Sequence, residues 1–302
     1  MGLVERTFKD GEIIIKEGDT GKSFFQIIEG RAGVYAGFGK NDQIKLAELE
    51  AGEYFGEMAI LEAYPRSATV VAKGSAYVIE IPGDELNAYF AANPDQIIEL
   101  MRYLGNRIQV MTQDYNDSKV LLEQLKQSDA AKKDKSLFAK IKKHIDAYQS
   151  NKNNISEPDI DSLREELEKL KNDKTGNIKD FRKGMFVYRE NDFSNCMYIL
   201  HHGEVGLYTG YRTKEELNVG GYKAVSVFGE MGLINGETRN ATAVVDSESV
   251  RVEIITQEDL EPLFKSSPAK IELILRHLSF RLRRLTNDFL KVCKEITETY
   301  NK

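Results

Sequence analysis

The chain has 302 residues, 41% of them hydrophobic and 30% charged, which suits a folded protein with room for two domains of ordinary size. A formal net charge of −6 weighs against general affinity for nucleic acid or anionic membrane. Two cysteines, Cys196 and Cys293, supply neither a disulfide framework nor metal-ligand spacing, and no run approaches the ~20 apolar residues that span a bilayer.

The start, Met1-Gly2-Leu3-Val4-Glu5-Arg6, fails the myristoylation pattern because Arg6 stands where Ser or Thr is required. A folded-domain pattern beginning by Phe8 leaves no room for a signal peptide, and the expected location is cytoplasmic. Short apolar runs rich in β-branched and aromatic residues follow: Ile13 to Ile15, Phe24 to Ile28, and Val70 to Ile81, with Gly and Asp between them. Short strands with such turn signals predict a sandwich or barrel. Ile97, Met101, Leu104, Ile108, Met111 and Tyr115 then step by four and three, a helical heptad seam.

From roughly 126 to 178 the sequence turns polar and Lys-rich. Ser136 to Tyr148 and Ser156 to Leu170 keep helical periodicity, the second behind Ser156-Glu157-Pro158, a helix-start signal. The segment reads as a helical connector, with a solvated linker as the competing reading.

The remaining residues repeat the first part. Phe8, Gly11, Glu17, Asp19, Gly30, Gly33, Tyr35, Phe55, Gly56, Glu57, Met58 and Arg66 all recur 173 positions later, ending in Phe228, Gly229, Glu230, Met231 and Arg239, without a gap. The chain is a duplication. A second heptad seam closes it, through Ile271, Leu275, Leu278, Leu282, Leu285, Phe289, Val292 and Ile296. The expected domains are 1–125 and 179–302, each a barrel with C-terminal helix, joined by the 126–178 connector.

The informative stretch is Phe55-Gly56-Glu57-Met58-Ala59, then Arg66-Ser67-Ala68; its partner is Phe228-Gly229-Glu230-Met231-Gly232, then Arg239-Asn240-Ala241. In both, an Arg follows the Glu by nine residues, across a stretch that suits one helical turn. Arg is charged at any working pH and presents a planar donor set to an anionic phosphate. A carboxylate accepts a hydrogen bond from a ribose hydroxyl, and a glycine lets the backbone approach the sugar. Exposed amides at the start of the turn complete a phosphate cradle. These residue types in this order suit a cyclic phosphodiester on a ribose.

On those residues each half resembles the cyclic-nucleotide-binding domain family, which includes the regulatory subunits of cAMP-dependent protein kinase, cyclic-nucleotide-gated channels and the bacterial catabolite activators. The first half follows the family's phosphate-binding cassette closely, while the second carries Gly232 for Ala and Thr238 for Pro. The resemblance implies a mainly β fold: two jelly-roll β-barrels, each followed by helices. It implies ribose contacts from Glu57 and Glu230, phosphate contacts from Arg66 and Arg239, and a following helix that acts as lid or hinge. Cyclic AMP is the first expected ligand, two per chain, and cyclic GMP stays open because a hydroxyl such as Ser67 contacts phosphate or favours guanine. Arg102, Asn106 and Arg276 are candidates for selecting the base.

Other patterns carry less. Gly21-Lys22-Ser23 invites a P-loop, but Lys16 occupies the first required glycine. His201 and His202 are adjacent on an expected strand and so point to opposite faces, which argues against metal. No nucleophile–base pair stands out. The leading expectation is therefore a non-enzymatic receptor, without metal or cofactor, that regulates a partner or its own assembly. A homodimer through the heptad helices is compatible with it, though the two helices pair equally well within one chain. Two alternatives remain: a cyclic-nucleotide-responsive transcription regulator, for which the C-terminal seam leaves no helix-turn-helix, and a scaffold of degenerate barrels.

Overall fold

A computed structural model describes residues 4–21, 23–40, 43–56, 66–93, 95–127, 135–151, 165, 168, 177–236 and 238–301. The first barrel is built from β1 (Val4–Phe8), β2 (Ile13–Ile15), β3 (Ser23–Ala36), β4 (Ile44–Leu49), β5 (Tyr54–Phe55) and β6 (Thr69–Pro82), all antiparallel. The order is β1-β6-β3-β4, with β2 on β6 and β5 on β3. Strands β3 and β6 each run 14 residues, so each lends its two ends to different neighbours. The bend in β3 falls at Gly30, where the register slips between Ile27 and Glu29 and again between Glu29 and Arg31. Its φ of 85° and a Ser75 carbonyl that would lie 2.0 Å from any Cβ leave glycine as the residue that fits.

The second barrel shows the same plan with those two long strands broken. It comprises β7 (Asn177–Arg182), β8 (Phe186–Tyr188), β9 (Cys196–His202), β10 (Glu204–Thr209), β11 (Leu217–Lys223), β12 (Ser226–Phe228), β13 (Thr242–Val245) and β14 (Ser249–Thr256). They form two four-stranded sheets, β11-β10-β13-β8 and β12-β9-β14-β7. Gly203 separates β9 from β10 as Gly30 bends β3, with φ 87° and the Ser249 carbonyl 2.2 Å from a Cβ position. Two jelly-roll barrels of antiparallel strands, with helices, are thus the architecture.

The two cores are related position by position. Phe25, Leu49, Phe55 and partly buried Ile15 fill the first, and Tyr198, Tyr222, Phe228 and Tyr188 take the corresponding places in the second. Several recurring polar residues turn out to pin the backbone. Glu17 accepts a hydrogen bond from the Gly37 amide and Glu190 from the Gly210 amide, both at 2.8 Å. Thr69 and Thr242 each accept from the amide of the same glutamate.

The helices are α1 (Leu86–Ala92), α2 (Asp95–Gln127), α3 (Lys135–Asn151), α4 (Glu230–Asn235), α5 (Gln257–Ser266) and α6 (Pro268–Tyr300). Helix α6 opens on Pro268, a residue whose missing amide costs nothing at that position. The expected helix at 136–148 is α3, slightly longer than its periodicity indicated. The expected helix at 156–170 lies outside the described residues, apart from Glu165 and Glu168, which are helical.

Two compact units emerge. Unit 1 holds residues 1–89, 106–158 and 279–302; there Leu121, Leu122, Leu125, Ile141 and Ile296 make an apolar cluster joining α2, α3 and α6. Unit 2 holds residues 90–105 and 159–278. In it the first turns of α2 lie on α4, with Ile234 3.1 Å from where a Gly105 Cβ would sit. Unit 2 also contains a buried polar triad outside the cassette, in which Glu253 on β14 meets His201 at 2.9 Å and Lys270 of α6 at 2.8 Å.

Candidate functional site

Each cassette arginine is drawn into its barrel by its own backbone. In the first barrel the Arg66 amide donates to the Asp19 carbonyl at 2.8 Å, and the Gly18 amide donates to the Arg66 carbonyl at 2.9 Å. In the second, Arg239 and Asp192 repeat the former bond at 2.9 Å, and Asn191 takes the part of Gly18 at 2.7 Å. Asn191 even keeps the left-handed backbone of its counterpart, with φ 67° against 85°.

The side chains then converge on the cassette glycine. Arg66 Nη1 donates to the Gly56 carbonyl and Nη2 to the Ser23 carbonyl. Arg239 Nη1 likewise donates to the Gly229 carbonyl, while Nη2 reaches the Ser194 hydroxyl and, at 2.7 Å, the Cys196 carbonyl. Both glycines need positive φ, 77° and 70°, to turn their carbonyls toward the guanidinium. Both arginines are buried, at 6% and 4% exposure, where an unpaired charge is costly.

Arg239 makes further contacts with aromatic rings. Its guanidinium carbon sits 4.3 Å from the centre of the Tyr188 ring and 5.4 Å from that of Tyr198. Burial pushes the pKa of both phenols well above the ordinary tyrosine value, and at Tyr198 a hydrogen bond with Cys196 adds to it. Gly232 gives the arginine room, since a Cβ there would lie 2.9 Å from Nη1 and 3.1 Å from the Ser194 Cβ. In the first barrel Gly21 does that work, its Cβ position being 2.2 Å from Arg66 Nη2. Glu230, 1% exposed, opens α4 directly after Gly229.

The other expected site residues are distributed as follows. Phe55 and Phe228 belong to the barrel cores, stacked on Phe25 and Tyr198 at 5.2 Å. Ala68 and Ala241 are buried beside their arginines, Ser67 and Asn240 are exposed, and Met231 is half-buried. Glu57, Met58 and Ala59 lie outside the described residues. Arg102 is engaged with the Ile234 carbonyl at 3.2 Å, at the end of α4, and with Glu99. Arg276 pairs with Glu272, and Asn106 is exposed.

Sequence reasoning missed Gly21, Ser23, Tyr188, Ser194, Cys196 and Tyr198. The signal that finds them is the repeat itself, because Gly21 with Ser194, and Ser23 with Cys196, are 173-residue counterparts flanking the start of an equivalent strand. Among the described residues no group of three or more His, Cys, Asp and Glu is placed to hold a metal ion. Nor is any of their helices long and apolar enough to cross a membrane.

Comparisons with known proteins agree with this geometry. The sequence profile of the cyclic nucleotide-binding domain matches residues 5–93 and again 178–267, more than half of the chain. A cGMP-dependent protein kinase of Plasmodium berghei is 25% identical over 237 residues, 78% of this chain and 21% of that protein. A cAMP-dependent protein kinase regulatory subunit of Dictyostelium discoideum is 36% identical over 83 residues, 26% of this chain and 25% of that protein. The chain therefore spans a quarter or less of the length of these relatives. Among solved structures, the regulatory domain of Toxoplasma gondii PKA with cAMP matches at 19% identity and TM-score 0.27, over 88% of this chain and 85% of that one; a likeness that loose carries no weight. The twofold profile match does, and with the two arginine–glycine cassettes it places the chain in the cyclic nucleotide-binding domain family, with two copies of the domain.

Proposed function

We propose that the chain is a non-catalytic receptor that binds one cyclic mononucleotide in each barrel, cyclic AMP before cyclic GMP, and passes occupancy to a separate protein. The observation that carries this reading is Arg239. It is buried, and its Nη groups bond only neutral partners: two carbonyls, a hydroxyl and a thiol. Its Nε finds no acceptor among the described residues. A desolvated guanidinium with no carboxylate partner among the described residues is stabilised by an incoming phosphodiester anion. Arg66, at the equivalent place on Gly56, supports the same role for the first barrel.

Both relatives named above are cyclic-nucleotide-dependent kinases or their regulatory subunits by name, one for each nucleotide. The better-matched first cassette favours cyclic AMP there. The second site, with Gly232 and Asn240 where the first has Ala59 and Ser67, is read as the one with different affinity. Output through a partner is preferred over self-assembly because much of the heptad apolar surface is buried inside the chain, as at Leu104, Ile108, Leu275, Leu278 and Ile296. A cytoplasmic, soluble setting goes with this role.

Calorimetric titration of nucleotide-stripped protein with cyclic AMP and with cyclic GMP tests the reading. Saturable binding of either supports it, and tighter binding of cyclic AMP supports the ligand assignment. No heat with either nucleotide overturns it.

A further inference from the structure

Cys196 stands at the second cassette with its sulfur 3.5 Å from Arg239 Nη2, 3.5 Å from the Ser194 hydroxyl and 3.5 Å from the Tyr198 hydroxyl. It is half-buried at the start of β9, whereas Cys293 is fully buried. Arg239 beside it is 4% exposed, and its buried Nε has no acceptor among the described residues. That orphan points to an anionic group at this spot, independently of the thiol. The first barrel has Ser23 at the counterpart of Cys196, so the thiol belongs to the second cassette alone.

Electropositive, part-exposed surroundings are where thiol–disulfide exchange is favoured, since negative charge builds on sulfur during attack. Burial, with the Asp114 carboxylate nearby, pushes the Cys293 thiol up to about 12, which leaves it a poor competitor.

We propose that Cys196 is a thiol-exchange site within the second cassette, where a small disulfide of the glutathione class and a phosphodiester anion compete for the space beside Arg239. The competition rests on the reading of the second barrel as a cyclic-nucleotide site. The Cys196 thiol gives its proton to solvent, and the thiolate attacks one sulfur of the disulfide. That S–S bond breaks, a new one forms at Cys196, and the other half leaves as a thiolate. One disulfide is consumed and one formed, so no further oxidant is needed. The tethered group then fills the place of the phosphate, and a bound phosphodiester conversely shields the sulfur.

The test uses the full chain, stripped of nucleotide and reductant, incubated with glutathione disulfide with and without excess cyclic AMP. Peptide mass mapping follows the adducts, and calorimetric titration with cyclic AMP before and after treatment follows the sites. The expected result is an adduct at Cys196 and none at Cys293. Binding at the site that Arg239→Ala removes weakens about tenfold or more, the other site is unchanged, and dithiothreitol restores the weakened one. Excess cyclic AMP slows adduct formation. Cys196→Ser, which copies the first barrel, takes no adduct there, and its second-site affinity is the same before and after treatment.

An adduct at Cys293 alone, no adduct at all, or a Cys196 adduct that leaves the second site at full affinity overturns the proposal. Untreated protein that shows no second site contradicts the ligand reading instead, and the competition falls with it. The mass map still decides separately whether Cys196 is the exchanging thiol.

Discussion

Lys270 Nζ lies 2.8 Å from Glu253 Oε1, and both side chains are completely buried. The pair fastens the start of α6 to the β14 strand, and the second carboxylate oxygen is held by His201 at 2.9 Å. Burial by itself raises the pKa of Glu253, but the hydrogen bonds from His201 and Lys270, with the charge on Lys270, outweigh it and hold the carboxyl below its ordinary value of 4.5.

Removing one member of such a group leaves an uncompensated buried charge. Lys270→Met is expected to cost about 3–5 kcal/mol of stability. The Lys270→Met, Glu253→Gln double variant should recover much of that loss, in denaturant unfolding of each. Equal loss in the single and double variants would show that packing, not charge, dominates here.

The same group sets a pH dependence. The folded carboxyl titrates below the unfolded one, so its stabilisation is fully present above pH 4.5 and is lost as pH falls through the lower, folded value. Unfolding midpoints between about pH 6 and pH 3 should therefore fall more steeply for the parent than for Glu253→Gln. Parallel curves would contradict this.

Two tyrosines beside Arg239 predict the opposite trend at alkaline pH. Tyr188 and Tyr198 titrate above the ordinary value of 10.0 when folded, chiefly through burial. Their contribution is complete below that pH and lost as pH rises past it, because the unfolded phenols ionise first. Alkaline absorbance titration should show these two remaining protonated beyond the exposed tyrosines until unfolding releases them, and Tyr188→Phe and Tyr198→Phe should each remove one late step.

The glycines at the strand bends and in the cassettes predict two different losses. Gly30→Ala drives a Cβ into the Ser75 carbonyl in a left-handed backbone, so a destabilisation above about 1 kcal/mol is expected in denaturant unfolding. Gly56→Ala meets Arg66 Nη1 at 2.5 Å and disfavours the φ of 77° that aims the carbonyl. Its expected effect is a loss of first-site affinity of about tenfold or more, measured by titration with cyclic AMP, with the second site unchanged.

Much of this was legible in the sequence, and the reasons are specific. The gap-free repeat identified equivalent glycines, and Gly30 and Gly203 indeed make the same turn because both sit under a neighbouring carbonyl. The recurrence of Glu17 and Glu190 was equally visible, yet not its purpose, since a carboxylate that pins a backbone amide looks in sequence like one that binds a ligand. The surroundings of Arg239 were hidden for another reason. Ser194 and Cys196 lie 45 and 43 residues before it, and strand pairing alone brings them to its guanidinium. A heptad pattern defines a buried face without naming what covers it, which is why the packing of Gly105 on Ile234 could not be read from spacing.

The most direct measurement is the number of cyclic AMP molecules held by nucleotide-stripped protein in equilibrium dialysis, for the parent, Arg66→Ala and Arg239→Ala. Two molecules per parent chain and one per chain in each variant is the predicted result. Unchanged stoichiometry in both folded variants, or no retained nucleotide in the parent, would contradict the assignment of the two arginines as phosphate-binding groups.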